Sequence, residues 1–319
     1  MSDTFLVTGG CGFVGSHIVK DLVLQKQEVK VIDDLSRGSL DRIREVLDKV
    51  DFIKGDIRDA ETVSKVMENV DVVIHTAAQV SVTKSIENPL YDGSVNILGT
   101  ITLLEEAKKR GIKRFIHFSS AAIYGDPKYI PIDEEHPKNP LSPYGVSKLS
   151  SDYYARMYHQ LYKVPTVVIR PFNIYGPGQN PGDPYAGVIT IFIERAIRNK
   201  PPIIYGGTQT RDFVNVKDVV KAVLLAVEKD KAIGHAFNIA SGTEITIDKL
   251  AEIVIRISDS KIEAIHEKFR EGEILRSVAS IEKAKQILGY KPEVSLVDGL
   301  REVYSWVKKA ITKGSSNDY

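Results

Sequence analysis

Thr8-Gly9-Gly10-Cys11-Gly12-Phe13-Val14-Gly15 decides the fold. An apolar run at 4–8 ends here and a helical pattern at 14–25 begins. The spacing of Gly9, Gly12 and Gly15 meets three separate needs. Gly9 permits a tight turn off the strand. Gly12 lets backbone approach a charged group with no Cβ in the way. Gly15 lets the helix lie close on the strand. The freed amides and the positive end of the helix favour an anion.

Outward from this turn, near-continuous apolar runs at 29–33, 52–54, 72–75, 114–119 and 166–170 read as parallel strands buried on both faces. Helical stretches at 40–49, 60–68, 97–110 and 144–162 alternate with them. The alternation predicts an α/β fold with a doubly wound parallel sheet. After Pro171 the pattern changes. Residues 172–185 read as a long irregular connection, followed by helices at 187–199, 218–228, 246–257 and 295–309. Strands are expected at 203–205, 236–240 and 262–266. The chain thus divides into a dinucleotide-binding Rossmann domain, 1–172 plus 213–241, and a smaller mixed α/β substrate lobe, 173–212 plus 242–319.

The 319 residues carry a formal net charge of +1, with 43% hydrophobic and 27% charged residues. That balance offers no basic footprint for nucleic acid and no polybasic membrane anchor. A single cysteine excludes an internal disulfide framework. No apolar run reaches the ~18 residues of a membrane helix, and no signal segment is evident. A soluble, cytoplasmic protein is the expectation.

Gly9, Gly12, Phe13, Val14 and Gly15 are expected at the pyrophosphate of a dinucleotide. Asp33 ends the second strand, where a carboxylate accepts from ribose hydroxyls and repels a 2′-phosphate, so NAD is expected rather than NADP. Cys11 reads as a small filler of the turn. Tyr144-Gly145-Val146-Ser147-Lys148 places a phenol and an ammonium on one helix face. A free tyrosine has a pKa of ~10, so proton transfer near neutrality needs a displacement worth roughly 4 kcal/mol. A neighbouring cation acts in that direction. The helix opens beyond the carboxyl end of the fifth strand, where open α/β sheets bind ligands. At that strand end, Ser120 can hydrogen-bond the oxygen whose proton Tyr144 takes. The forked guanidinium groups of Arg211 and Arg270, outside the first half, suit a diphosphate.

These residues resemble the extended short-chain dehydrogenases/reductases, and most closely the UDP-glucose 4-epimerase branch. The resemblance runs through Gly55-Asp56-Ile57-Arg58-Asp59, His75-Thr76-Ala77-Ala78, Asn96, Ser119-Ser120-Ala121-Ala122-Ile123-Tyr124-Gly125, Arg170-Pro171-Phe172-Asn173, Arg211-Asp212-Phe213-Val214 and Arg270-Glu271-Gly272-Glu273. It implies that Asp56 and Ile57 border the adenine, that Ala77 and Ala78 line the dinucleotide, and that Asn96 supports its site. It implies that Ser120, Tyr144 and Lys148 are catalytic, with Tyr144 and Lys148 also touching the cofactor. On the substrate side it implies Asn173, Arg211, Arg270, Glu273 and Ser277 around a UDP-sugar, and a homodimer built through the helices at 97–110 and 144–162.

The chain departs from its relatives in places. Dehydratases of this kind usually carry an Asp-Glu pair, and decarboxylases a Glu, where Ala121 and Ala122 stand. Glu273 replaces the usual aspartate and Val80 a common lysine. Ser277, seven residues after Arg270, replaces the tyrosine of some relatives and would leave room for an N-acetyl group. The implied activity is 4-epimerisation of a UDP-hexose (UDP-glucose/UDP-galactose, with the N-acetylhexosamine pair also accepted). The alternative is a related enzyme acting on UDP-glucuronate, a decarboxylase or a 4,6-dehydratase. No metal is implied.

Overall fold

The computed structural model describes residues 3–179, 187–269 and 273–314. Strands β1 (Thr4–Thr8), β2 (Glu28–Asp33), β3 (Val50–Lys54), β4 (Val72–His75), β5 (Arg114–Phe118) and β6 (Thr166–Pro171) form one sheet with Ala236–Ile239. The spatial order is β3-β2-β1-β4-β5-β6, with Ala236–Ile239 beyond β6, and every pairing is parallel. The order reverses between β1 and β4, so the crevice at their carboxyl ends lies at a topological switch point.

The strand period of two sends alternate side chains to opposite faces. Phe5, Val7, Val29 and Val31 pack on one face with Ile18, Val19 and Leu22 of α1 (Phe13–Leu24). Val219, Val223 and Ala226, from the helix Val216–Glu228, complete that layer. Leu6, Ile32, Val73 and Phe115 face the other way. They meet Val63 and Val66 of α2 (Ala60–Val66), and Leu103, Leu104 and Ala107 of the helix Gly99–Arg110. Each fully buried aliphatic side chain contributes ~1.5–3 kcal/mol.

Between β4 and Gly99, two short helices, α3 (Val82–Glu87) and α4 (Pro89–Gly93), lead into a π-turn at Ser94–Leu98. The sequence pattern gives none of these. Gly99–Arg110 is α5, and α6 (Pro143–Tyr162) is the long helix after β5. Residues 40–49 form two 3₁₀ stretches, Leu40–Arg42 and Arg44–Lys49, in place of the expected helix. Ile43 and Val46 are the buried side chains there, too few to anchor a longer amphipathic face.

The expected irregular connection contains β7 (Asn173–Tyr175), and its residues 180–185 lie outside the described residues. β7 pairs in parallel with β9 (Thr210–Asn215), which pairs antiparallel with β11 (Glu244–Thr246). β8 (Ile203–Tyr205) and β12 (Ile265–Glu267) form a parallel pair, with β12 later than the 262–266 expected. The remaining helices are α7 (Val188–Ile197), α8 (Val216–Glu228), α9 (Ile247–Ser258), α10 (Glu282–Leu288) and α11 (Leu296–Gly314); the sheet strand Ala236–Ile239 is β10. α7, α9 and α11 share a separate core of Phe192, Ile193, Leu250, Val254, Leu300 and Val303. Residues Ala279, Ile281, Ala284, Leu288 and Tyr290 instead join the core of the large sheet.

Candidate active site

The glycine turn has the geometry its spacing demands. Gly9 adopts φ +67°, donates from its amide to Ile32 O at 2.8 Å, and accepts from Gly12 N at 2.9 Å. A Cβ on Gly15 would stand 2.2 Å from Gly9 O, so no larger residue fits. α1 starts at Gly12 with no side-chain cap and no acid in its first turn. Its leading amides, at Phe13 and Val14, therefore form a cradle that suits a pyrophosphate.

Asp33 is buried beside this turn. Oδ2 accepts from Cys11 N at 2.9 Å and Oδ1 from Leu35 N at 2.8 Å. Burial raises its pKa and the two amides oppose the rise. Each oxygen keeps a lone pair for a ribose hydroxyl. Cys11 is a filler as expected: burial pushes its thiol up to about 12, with Asp33 adding to the effect. Asp56 is engaged by Arg58, whose hydrogen bonds hold the carboxyl below its usual range. Ile57 is buried against Gly99. Ala77 donates from its amide to Thr8 Oγ1 at 3.2 Å, and Ala78 follows it on the same crossing out of β4.

Two ties that the sequence does not announce close the turn from outside. His17 bonds Pro177 O at 2.8 Å, and Arg42 donates to Cys11 O at 3.1 Å and to Gly178 O at 3.3 Å.

Ser142 caps α6, accepting from Gly145 N at 3.1 Å, and Pro143 occupies the first turn. Tyr144 and Lys148 follow on consecutive turns of one face. Ser120 Oγ accepts from Ala122 N at 3.1 Å, which leaves its own proton free to donate. The cation effect expected on Tyr144 is not what dominates. Burial raises the phenol pKa, and the Ser120 hydrogen bond is the influence that lowers it. Burial also brings the Lys148 amine down to about 8, against the pull of Asp152 and Asp92. Asn96 is buried. It accepts from Gln79 N at 2.9 Å and donates to Gln79 O, Asp92 Oδ1 and Ser147 Oγ at 3.0–3.1 Å. It braces α6 from beneath.

The expected substrate residues come from β7, β9 and the segment after β12. Asn173 Nδ2 donates to Asp212 O at 2.9 Å. Arg211 is largely buried: Nη1 donates to Thr210 O and Ile274 O, both at 2.8 Å, and Nη2 to Glu273 Oε1 at 3.1 Å. Ser277 is half-buried, next to Val278, whose carbonyl accepts from Ile132 N at 2.8 Å. Arg276 turns away to pair with Glu244. Arg270 lies outside the described residues. Asp212, which sequence reasoning passed over, accepts from Ser241 N and Oγ, Gly242 N and Ala279 N at 2.6–3.2 Å, and so fixes these segments around β9. Among the described residues, no cluster of His, Cys, Asp or Glu could hold a metal ion. No described helix is long and apolar enough to cross a membrane.

Comparison with known proteins agrees with this fold. The family described as GDP-mannose 4,6 dehydratase matches residues 6–303. A relative from Methanocaldococcus jannaschii, named putative UDP-glucose 4-epimerase, is 44% identical over 306 residues, covering 95% of this chain and 98% of its own. The crystal structure of UDP-glucose 4-epimerase with UDP-glucose from Thermotoga maritima matches with a TM-score of 0.92 at 37% identity, covering 97% of this chain and 99% of that one. UDP-glucuronic acid 4-epimerase from Bacillus cereus, in complex with UDP-glucuronic acid and NAD, matches with a TM-score of 0.89 at 33% identity, covering 96% and 99%. The chain belongs to the GDP-mannose 4,6 dehydratase family, within the extended short-chain dehydrogenases/reductases that modify nucleotide sugars.

Proposed function

We propose that this protein is a cytoplasmic, homodimeric, NAD-dependent UDP-hexose 4-epimerase that interconverts UDP-glucose and UDP-galactose and also accepts the N-acetylhexosamine pair. The observation that carries the reading is the meeting of the Ser120 hydroxyl and the Tyr144 phenol at the carboxyl end of β5, where Ser120 favours the phenolate, with Lys148 one turn on and no acid at Ala121 or Ala122. A phenol, a hydroxyl and an amine suited to proton transfer stand there. The acid that would expel water from the sugar is not.

The cofactor is NAD, which when bound would supply the hydride acceptor and donor for C4 of the sugar. Gly9, Gly12, Phe13, Val14 and Gly15 hold its pyrophosphate. Asp33 takes the ribose hydroxyls, with Asp56, Ile57, Ala77 and Ala78 along the dinucleotide. Tyr144 removes the proton of the C4 hydroxyl, and Ser120 steadies that oxygen and the phenolate by hydrogen bonding. Lys148 stabilises the phenolate as an ammonium and holds the nicotinamide ribose. Asn173, Arg211, Arg270 and Glu273 keep the UDP moiety fixed while the sugar turns over between two poses. Ser277 leaves room beside the sugar.

In this reading 1–172 plus 213–241 serve the cofactor and 173–212 plus 242–319 serve the nucleotide sugar. The dimer reading is supported by exposed apolar side chains at Leu98, beside α5, and at Val146, Tyr153 and Tyr162 of α6.

The test uses purified protein with no added NAD, given UDP-hexoses, UDP-N-acetylhexosamines and UDP-glucuronate. Conversion of the first two classes to their C4 epimers is expected. Loss of water, release of NADH, or turnover of UDP-glucuronate alone would replace the reading.

A further inference from the structure

Residues 176–179 leave β7 and cross the start of α1. Their glycines bring backbone close to Phe13: a Cβ on Gly176 would stand 3.6 Å from Phe13 Cζ, and one on Gly178 3.5 Å from Phe13 Cδ2. Phe13 is the first residue of α1, and its amide belongs to the pyrophosphate cradle. Its ring also meets that of His17, one turn on, with centroids 5.8 Å apart and planes nearly perpendicular. The head of α1 is thus held between its own next turn and a strap from the other lobe. The far end of the strap is fixed too. Gln179 Nε2 donates to Ile174 O at 3.1 Å, and its Oε1 accepts from Thr190 Oγ1 at 2.9 Å.

Two side chains fasten the strap from the cofactor side. His17 Nε2 lies 2.8 Å from Pro177 O. A carbonyl only accepts, so this nitrogen carries the hydrogen. Arg42 Nε donates to Gly178 O at 3.3 Å, and Nη1 to Cys11 O and Arg37 O, both at 3.1 Å. One guanidinium therefore joins three segments: the glycine turn, the loop that follows Asp33, and the strap. Cys11 is pinned on both sides, its amide on Asp33 and its carbonyl on Arg42 and Ser39 N. β7 has its own pairing with β9, so these bonds are not what makes it a strand.

We propose that His17 and Arg42 are cofactor-retention residues, which clasp residues 176–179 against the head of α1 and slow the departure of NAD. The proposal rests on the reading of the glycine turn as the pyrophosphate cradle. A turn and a helix end held this way lack the local opening through which a bound group leaves, so the clasp acts on the rate of loss. The epimerase reading gives the clasp its use, because one cofactor must be kept from the first half of the reaction to the second.

The experiment loads the protein with radiolabelled NAD, adds excess unlabelled NAD and follows loss of label. Arg42→Ala and His17→Ala cut separate hydrogen bonds, and each should lose label about 10-fold faster than wild type. His17→Gln places an amide donor near the lost Nε2 and should restore most of the retention. Arg42→Lys keeps the charge without the fork that spans Cys11 and Gly178, and should lose label about as fast as Arg42→Ala. Wild-type retention by either alanine variant overturns the proposal. So does wild-type retention by Arg42→Lys, which would assign the effect to charge, or a His17→Gln protein as leaky as His17→Ala, which would assign it to ring packing. Wild-type protein that takes up no labelled NAD rejects the cradle itself, whereas a wild type that holds NAD beside variants that hold it equally well rejects the clasp alone.

Discussion

Arg211 donates to Glu273 at 3.1 Å, joining β9 to the segment after β12 across 62 residues of chain. The guanidinium proposed for a diphosphate is thus already aimed by a carboxylate and by the carbonyls of Thr210 and Ile274. Charge-assisted hydrogen bonds contribute ~1.5–3 kcal/mol each. Arg211→Ala is expected to weaken UDP binding about 10–100-fold, measured by calorimetry, with bound NAD unchanged. Glu273→Gln should have a smaller effect. UDP affinity left intact by Arg211→Ala would remove Arg211 from the site.

Gly15 tests the cofactor cradle. Alanine would bring a Cβ to 2.2 Å from Gly9 O, a clash with backbone that cannot swing aside. Gly15→Ala should purify with little or no NAD and a lowered melting temperature, since overpacking typically costs ~1–3 kcal/mol. Full NAD content in this variant would mean that the helix does not approach the strand as closely as described. Wild-type protein, denatured, should release NAD and not NADP.

Acid stability follows from His75. Its Nδ1 lies 2.7 Å from Thr8 Oγ1 and its Nε2 3.0 Å from Thr100 Oγ1. Thr100 gives its proton to Asn96 O, so it accepts from Nε2–H and fixes one neutral tautomer. Burial brings the imidazole down to about 3, against ~6.5 in an unfolded chain. The unfolded state therefore binds the extra proton as pH falls from ~6.5 toward 3, and stability drops by up to ~1.4 kcal/mol per pH unit. The urea midpoint should be lower at pH 5.5 than at 7.5, and His75→Asn should flatten that slope. An equal slope in both proteins would contradict the assignment.

The parallel strands and the glycine turn were legible because they rest on local pattern: continuous apolar runs, and Gly9, Gly12 and Gly15 at fixed spacing. β9 was missed because Thr210-Arg211-Asp212 opens it with polar residues, and β7 and β11 because each is three residues long; their pairing, not their composition, makes them strands. The segment 40–49 carries helical residues but buries only Ile43 and Val46, so it stays in 3₁₀ form. The π-turn at Ser94–Leu98 breaks the 3.6-residue period on which helix reading depends. For the site, Ser120, Tyr144 and Lys148 were readable from position along one strand and one helix. The Asn96 hydrogen bonds to Gln79, Asp92 and Ser147 and the Arg211–Glu273 pair were not, because each joins residues that only the fold brings together.

On the proposed function, Ser277 bears on substrate choice. It is half-buried, and Arg276 beside it is occupied with Glu244. On that reading the small side chain leaves space that tyrosine would fill. Ser277→Tyr should depress kcat/KM for the UDP-N-acetylhexosamine pair while largely sparing UDP-glucose and UDP-galactose. An equal effect on both pairs, or none on either, would show that this position does not gate the sugar.

The central claim is that the Tyr144 phenol moves the proton of the sugar hydroxyl. The most direct measurement is kcat for conversion of UDP-glucose to UDP-galactose by Tyr144→Phe, normalised to bound NAD and with UDP affinity measured in the same preparation. Removing a general acid–base typically costs ~10²–10⁴-fold. A loss in that range with NAD content and UDP affinity preserved is the expected result; near-native turnover by Tyr144→Phe would contradict the account.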